Sequence, residues 1–404
     1  MSPKLFPWLR ISFFNLLLVA FLGFVLRYKI VYPLPFIDQK HLLHAHSHFA
    51  FSGWVTQALM ALMIAVLSRQ KQIDLFPKYR WLLYANLFSA YGMLFSFPFQ
   101  GYGFFSITFS TLSIFTSWVF AFVYWKDLNR PGVRYASGQW FKAALFFNAI
   151  SALGAFALAF MMANKIIHQN WYLIAIYFFL HFQYNGWFFF GCIGLFVDKL
   201  SGLFPDDKKM KPVFWLFAGA CLPAFFLSVL WVPIPVWLYV TIVISALVQL
   251  LGWLWLLQVI IKNKSKITAV LSLQSKWLLL LSSVALSIKL ILQLGSTIPS
   301  ISTLAFGYRP IVIAYLHLIL LGVITLFLLG YLAGEKLLPA NAKVRNGILV
   351  FTSAIIFNEL LLMVQGAAAI QYTMVPFINE WLLLAGGLLF TGMLLLNLGI
   401  KKQN

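Results

Sequence analysis

The chain has 404 residues, of which 62% are hydrophobic and only 9% charged, and its formal net charge is +20. A soluble domain cannot bury so much apolar surface, whereas a lipid bilayer accommodates it. The basic residues lie in short stretches between apolar runs, which is typical of membrane insertion and not of nucleic-acid binding. Cys192 and Cys221 have no metal-binding spacing, and we interpret them as packing residues.

Long apolar runs follow one another along the whole chain. A helix that crosses a bilayer needs about 20 apolar residues. On that rule the sequence predicts an all-α, polytopic membrane protein of twelve transmembrane helices in a single domain, 1–404. No internal repeat is evident, so an inverted-repeat transporter gains no support. The predicted spans are 9–27, 44–67, 80–99, 103–125, 140–163, 171–198, 213–231, 236–260, 276–296, 310–333, 346–365 and 380–399.

The distribution of Lys and Arg indicates the orientation of these spans. With the N-terminus in the cytoplasm, 23 of the 29 basic residues fall in cytoplasmic segments, 5 fall in outer segments, and Lys289 lies within the ninth span. This asymmetry predicts that both termini are cytoplasmic. We therefore expect a multi-pass protein of the cell inner (plasma) membrane, surrounded by lipid.

Histidines are concentrated near the start of three even-numbered spans. His44, His46 and His48 belong to the second span, His181 to the sixth and His317 to the tenth. These spans run from outside to inside, so the histidines are predicted to lie in the outer half of the membrane. A heme iron takes one axial ligand from each face, and imidazole is a good ligand for iron. The sequence predicts ligation by His317 with His46 or His48; the alternative is that they are interfacial histidines.

The sixth span also carries the most polar stretch predicted to lie within the membrane. His181 is followed by Gln183, Tyr184 and Asn185. Polar groups at membrane depth must be satisfied by protein groups, a metal or water. Two interpretations stay open: a hydrogen-bonded contact between helices, or a metal or proton-handling site.

Three further charged residues are candidates for the same layer. Lys289 and Glu359 come late in the ninth and eleventh spans, at a similar predicted depth. They are expected to form an ion pair or to belong to a proton path or a heme-propionate environment. Arg309, at the outer end of the tenth span, is interpreted either as a partner of a propionate or as an anchor that extends to the interface.

Specific spacings accompany these histidines. The tenth span reads Tyr-Leu-His at 315–317 with a glycine at 322, and the sixth has His181 with a glycine at 186. The second span combines His-Ala-His at 44–46 with Gly-Trp at 53–54. This pattern resembles the catalytic subunit I of the heme-copper oxidase superfamily, and its spacing is most similar to the nitric oxide reductase and C-type oxidase branches. The resemblance covers the whole chain as topology, but specific residues in these three places only.

The resemblance implies roles for individual residues. His317 would be a ligand of a low-spin heme b, and His46 or His48 its second ligand. His181 would correspond to a ligand of the non-heme metal, with Asn185 where the nitric oxide reductases carry a glutamate. Tyr315 replaces the histidine that holds the high-spin heme in the family. Reductase chemistry, where it occurs, is expected near His181 and Tyr184.

One departure from the family limits this expectation. The adjacent pair of histidines in the seventh span is missing, because 214–231 contains no histidine. A complete binuclear centre with copper or non-heme iron is therefore not expected. The predicted function is respiratory electron transfer, or redox chemistry or sensing of NO or O2; an enzyme would be an oxidoreductase of the terminal oxidase or nitric oxide reductase type. The alternative is a non-heme transporter or a proton or ion channel that uses the same polar layer.

The sequence also bears on partners. It contains no C-x-x-C-H motif for a covalently attached heme. An electron donor is therefore expected to be a quinol or a separate cytochrome c, and partner subunits are possible in this class. We expect no nucleic-acid partner.

Overall fold

The computed structural model describes residues 4–130, 137–201 and 210–400, except for the side chains of 303–306. Within these residues the chain is helical and contains no strand. Ten of the described helices are long and apolar enough to cross a membrane, or eleven if one bent pair counts as a single span. The polytopic α-helical class is confirmed, whereas the number of twelve spans and the cytoplasmic termini stay predictions. Part of the predicted cytoplasmic set lies outside the described residues: Arg134, Lys208, Lys209, Lys401 and Lys402.

We number the helices α1 to α12 after the predicted spans to which they correspond. Two short helices, Lys264–Val270 and Pro299–Gly307, precede α9 and α10 and carry no number. The bounds are α1 Leu5–Val31, α2 Gln39–Lys71, α3 Phe76–Gln100, α4 Phe104–Leu128, α5 Gly138–Ala163, α6 169–201, α7 Met210–Cys221 with a 3-10 continuation Pro223–Val229, α8 Val236–Lys262, α9 Leu273–Gly295, α10 Arg309–Gly334, α11 Ala342–Ile370 and α12 Ile378–Gly399.

The start of α2 is set by a capping residue. The Asp38 carboxylate accepts hydrogen bonds from the backbone N–H groups of Lys40 and His41, at 2.8 and 2.9 Å. Such a cap satisfies donors that the first helical turn leaves without partners. The bond from His41 also lowers the pKa of Asp38. The helix therefore begins at Gln39, before the apolar run, and includes His41 as well as His44, His46 and His48.

Two other helices depart from the predicted pattern for local reasons. α7 bends by 44° where Pro223 begins its 3-10 continuation, because proline supplies no backbone N–H for the helix. α6 is continuous over 169–201 but is not among the ten apolar helices. Its polar residues Gln183 and Asn185 lower the mean hydropathy of the middle of the helix.

The helices form two compact units, and each is described by itself. The first unit contains α1 to α4, α11 and α12, and the second contains α5 to α10. In the first unit α11 and α12 approach closely at glycines. A Cβ atom on Gly347 would lie 2.5 Å from the backbone N of Leu396, and one on Gly392 would lie 2.6 Å from that of Phe351. Small residues allow this kind of close helix packing in membranes.

The histidine-bearing helices are the buried ones in each unit. In the first unit, 89% of the most apolar stretch of α2 is buried, compared with 22% for α4. In the second unit, α6 is largely buried from His181 onward, and α10 from Ile319 onward. The outer helices carry large exposed aromatics such as Phe122 on α4, which is 72% exposed. The fold thus places the histidines on helices that pack against other helices. Large aromatic side chains on the outer helices face the lipid.

Ion pairs in the first unit join residues that are predicted to lie on one side of the membrane. Lys4 pairs with Asp74 at 2.7 Å, and this hydrogen bond lowers the pKa of Asp74. Lys78 pairs with the buried Asp127 at 2.6 Å, and the Tyr79 hydroxyl donates to the same carboxylate at 2.7 Å. These contacts connect the ends of α1, α3 and α4.

Candidate functional site

Each histidine-bearing helix changes from α- to π-helical geometry just after its histidine. The π-helical segments in the described residues are Ala50–Thr56 in α2, Phe182–Phe188 in α6 and Leu318–Thr325 in α10. In all three helices a histidine and a glycine have the same spacing. His48, His181 and His317 are each followed by a glycine five residues later, and they are 133 and 136 residues apart in the chain. π-helical segments occur frequently at functional sites, so this repeated motif identifies three candidate positions.

Neighbouring helices satisfy backbone carbonyls in these segments. A π-helical turn disturbs the regular hydrogen-bond ladder, and a buried carbonyl left without a partner is costly. Asn15 of α1 donates to the carbonyl of Gly53 at 2.6 Å, and Ser282 of α9 donates to that of Val323 at 2.7 Å. Buried polar side chains on the neighbouring helices therefore stabilise two of the π-helical segments.

The His46 ring is oriented by a backbone carbonyl of α1. Its Nδ1 lies 3.1 Å from the carbonyl oxygen of Val19. Because a carbonyl only accepts, Nδ1 carries the proton and Nε2 carries the lone pair. Gly23 makes room for the ring, since a Cβ atom there would lie 3.3 Å from Cε1 of His46. Metal-binding histidines usually donate their second ring nitrogen in this way.

His48 faces the other side of α2 and packs in an aromatic cluster. Its ring stacks on Phe97 with centroids 4.5 Å apart, and its Nε2 lies 3.2 Å from the Tyr102 hydroxyl. His44 packs edge-on against the same tyrosine, at 4.6 Å between centroids. His46 and His48 thus point to opposite sides of α2. His46 therefore contacts a backbone carbonyl, whereas His48 contacts a tyrosine hydroxyl.

His317 has the same local arrangement as His46. Its Nδ1 lies 2.9 Å from the carbonyl oxygen of Ile313, one turn earlier in α10. Nδ1 therefore carries the proton and Nε2 the lone pair. Tyr315 is half-buried two residues earlier, and Arg309 is exposed at the first residue of the helix. The proposed roles of Tyr315 and Arg309 stay predictions.

His181 has a hydrogen-bond partner at each of its two ring nitrogens. Its Nε2 donates to the carbonyl oxygen of Cys221 at 2.9 Å, and the Asn185 amide donates to Nδ1 at 3.1 Å. The ring is 2% exposed. A metal could bind only by displacing one of these partners, so the contacts favour the hydrogen-bonded interpretation over ligation of a metal.

The other polar residues of this stretch face two directions. The Gln183 amide donates to Asn148 at 2.9 Å and to Ser151 at 2.8 Å, both on α5. Tyr184 and Asn185 instead line a small cavity in the second unit. The predicted polar patch is therefore partly a helix contact and partly the wall of a cavity.

The two charged residues late in α9 and α11 have partners within their own units. The Lys289 ammonium donates to Oε1 of Gln293 at 2.6 Å, and Glu359 accepts from the neighbouring Asn358 amide at 3.1 Å. The ion pair between Lys289 and Glu359 stays a prediction. No group of three or more His, Cys, Asp or Glu side chains is arranged to hold a metal ion in the part of the chain that the structure describes.

Several residues of these sites were not predicted from the sequence. Val19 and Gly23 have no chemical signature, and their roles become visible only through packing. Gln249 and Gln293 do carry a signal, because each is an amide within a long apolar run. The five-residue spacing at three histidines is a repeat that could also have been read from the sequence. No protein-family model and no curated protein matches this chain.

Proposed function

We propose that this chain is a heme-binding membrane protein with His46 and His317 as the two axial ligands of one low-spin heme b. The observation that carries the proposal is the shared tautomer of the two rings. Each donates from Nδ1 to a backbone carbonyl, at 3.1 Å for His46 and 2.9 Å for His317. In this tautomer the lone pair is on Nε2, which is the nitrogen that would bind the heme iron.

The activity that fits this donor set is electron transfer or gas sensing in the cell membrane. A heme held by two histidines supplies a one-electron couple. The protein's contribution is to orient the two rings through hydrogen bonds to backbone carbonyls. The donor would be a quinol or a separate cytochrome c, and the heme-copper oxidase likeness is the source of this expectation.

The residues do not fit a complete binuclear centre. His181 has both nitrogens in hydrogen bonds, and α7 offers no histidine. We therefore derive no oxygen or nitric oxide reduction step and include neither copper nor non-heme iron in the proposal.

An absorption spectrum of the protein purified from heme-replete cells tests the proposal. We expect a Soret band and a heme content of one per chain by the pyridine hemochrome assay. The variant His46→Phe should lose both, because the ligand is removed. The matched variant His48→Phe should keep both, because a ring at 48 can still stack on Phe97.

Two results would contradict the proposal. One is a folded wild-type protein without a Soret band, and the other is a His46→Phe variant with the heme content of the wild type. Size-exclusion profiles of both variants control for misfolding.

A further inference from the structure

A small cavity lies inside the second unit, beside the π-helical segment of α6. Its volume of about 20 Å³ has room for about one water-sized ligand. Most of its wall is apolar and aromatic, including Phe189, Phe190 and Phe217. Four of its lining side chains are polar: Tyr184, Asn185, Gln249 and Lys289. Neither proposed heme ligand lines it.

The cavity contains a buried cation without a paired carboxylate. Lys289 is 5% exposed, and its ammonium donates to Gln293. No described carboxylate of the second unit forms an ion pair with it. Within the described part of the second unit the sole acidic residue is Asp198, near the last turn of α6. A buried ammonium is costly unless an opposite charge or several acceptors compensate it.

The polarity of the neighbouring amides follows from this lysine. An ammonium group has no acceptor, so Gln293 must turn its oxygen toward Lys289. The Gln293 nitrogen then donates to Oε1 of Gln249 at 2.6 Å. Gln249 therefore uses its oxygen as the acceptor. Its NH2 group has no acceptor among the described residues. Gln249 is 5% exposed and lines the cavity.

Asn185 also lines the cavity and carries a further donor. The Asn185 amide uses one N–H for His181, at 3.1 Å, and its second N–H remains. The cavity is therefore bordered by N–H donors from Lys289, Gln249 and Asn185. A ligand that satisfies them must accept hydrogen bonds and carry negative charge.

We propose that this cavity binds one small monovalent anion of the size of chloride, with Lys289 as counter-charge and Gln249 as hydrogen-bond donor. The small volume suits a small anion. The aromatic wall disfavours strongly hydrated divalent anions such as sulfate, because their desolvation is not compensated there. The site is independent of the proposed heme ligands.

Binding of radioactive chloride to the purified full-length protein in lipid nanodiscs tests the site. We expect saturable binding of one chloride per chain, displaced by bromide but not by sulfate. Lys289→Met should weaken it by about tenfold or more, because the counter-charge is lost. Lys199→Met is the matched control. Its ammonium bonds to the Gly334 carbonyl at 3.1 Å, away from the cavity, and we expect wild-type binding.

A second variant distinguishes loss of the anion site from loss of folding. Gln249→Glu places a carboxylate in the cavity that Lys289 also lines, where it can replace the anion. This variant should fold, bind no chloride and show a melting temperature that no longer depends on chloride, whereas the wild type is stabilised by chloride. The proposal is overturned if the folded wild type shows no saturable binding, or if Lys289→Met or Gln249→Glu binds chloride as the wild type does.

Discussion

His181 and His317 lie in the same register of the same motif, yet they carry their protons on opposite nitrogens. Each precedes a π-helical segment, and each is followed by a glycine five residues later. His181 donates from Nε2 to the Cys221 carbonyl, whereas His317 holds its proton on Nδ1, next to the Ile313 carbonyl. The backbone motif alone therefore does not determine what the imidazole can do.

The residue four positions after each histidine also differs between the two motifs. Residues four apart lie on the same face of an α-helix. Asn185 follows His181 and donates to its Nδ1, so that nitrogen must be the acceptor. Leu321 follows His317 and has no group to donate. The Cys221 carbonyl thus requires the proton of His181 on Nε2, and the Asn185 amide complements that tautomer.

The largest expected effect is on heme content. His317→Phe should abolish the Soret band, because the proposed axial ligand is removed. His181→Phe should leave the band unchanged, because that ring is bound to Cys221 and Asn185. Pyridine hemochrome assays on both purified variants make the measurement. Equal heme loss in two folded variants would mean that the two histidines do not differ as described here.

The motif glycines should differ in their tolerance of alanine. A Cβ atom on Gly186 would lie 2.4 Å from Cβ of Phe147, whereas one on Gly322 would lie 3.1 Å from Cβ of Ala285. Gly186→Ala should lower the free energy of unfolding by about 1–3 kcal/mol through overpacking. Gly322→Ala should cost less, because the contact relaxes by a small shift and alanine favours the helix by ~1 kcal/mol. Thermal unfolding followed by tryptophan fluorescence compares them, and equal losses would refute the packing argument.

The helices were predictable from the sequence because long apolar runs have one stable solution in a bilayer. Where the helices differ from the predicted spans, the cause is a single residue that the apolar run does not reveal. Asp38 starts α2 at Gln39 and so brings His41 into the helix. Pro223 bends α7, although the run around it is apolar throughout.

The site was predictable in its residue types but not in its contacts. The histidines on three spans are predicted to be functional because a histidine inside a membrane is energetically costly. The choice of His46 over His48 required knowledge of Val19 on α1 and Phe97 on α3, which are distant in sequence. The π-helical segments leave no periodic signal, and only the glycine spacing marks them. Gln249 was overlooked because amides do not ionise, although they still require partners.

The smallest expected effect concerns the residue that distinguishes the two histidines. Asn185→Leu copies the residue found at 321 and removes the donor to Nδ1 of His181. We expect a loss of about 1 kcal/mol in the free energy of unfolding, typical of one hydrogen bond. The heme content should not change, because the bond from Nε2 to the Cys221 carbonyl still determines the tautomer. Nitrogen NMR of 15N-histidine-labelled protein should show the same His181 tautomer in both forms. A shift of the proton to Nδ1 would mean that Asn185, and not the carbonyl of Cys221, decides which nitrogen is available.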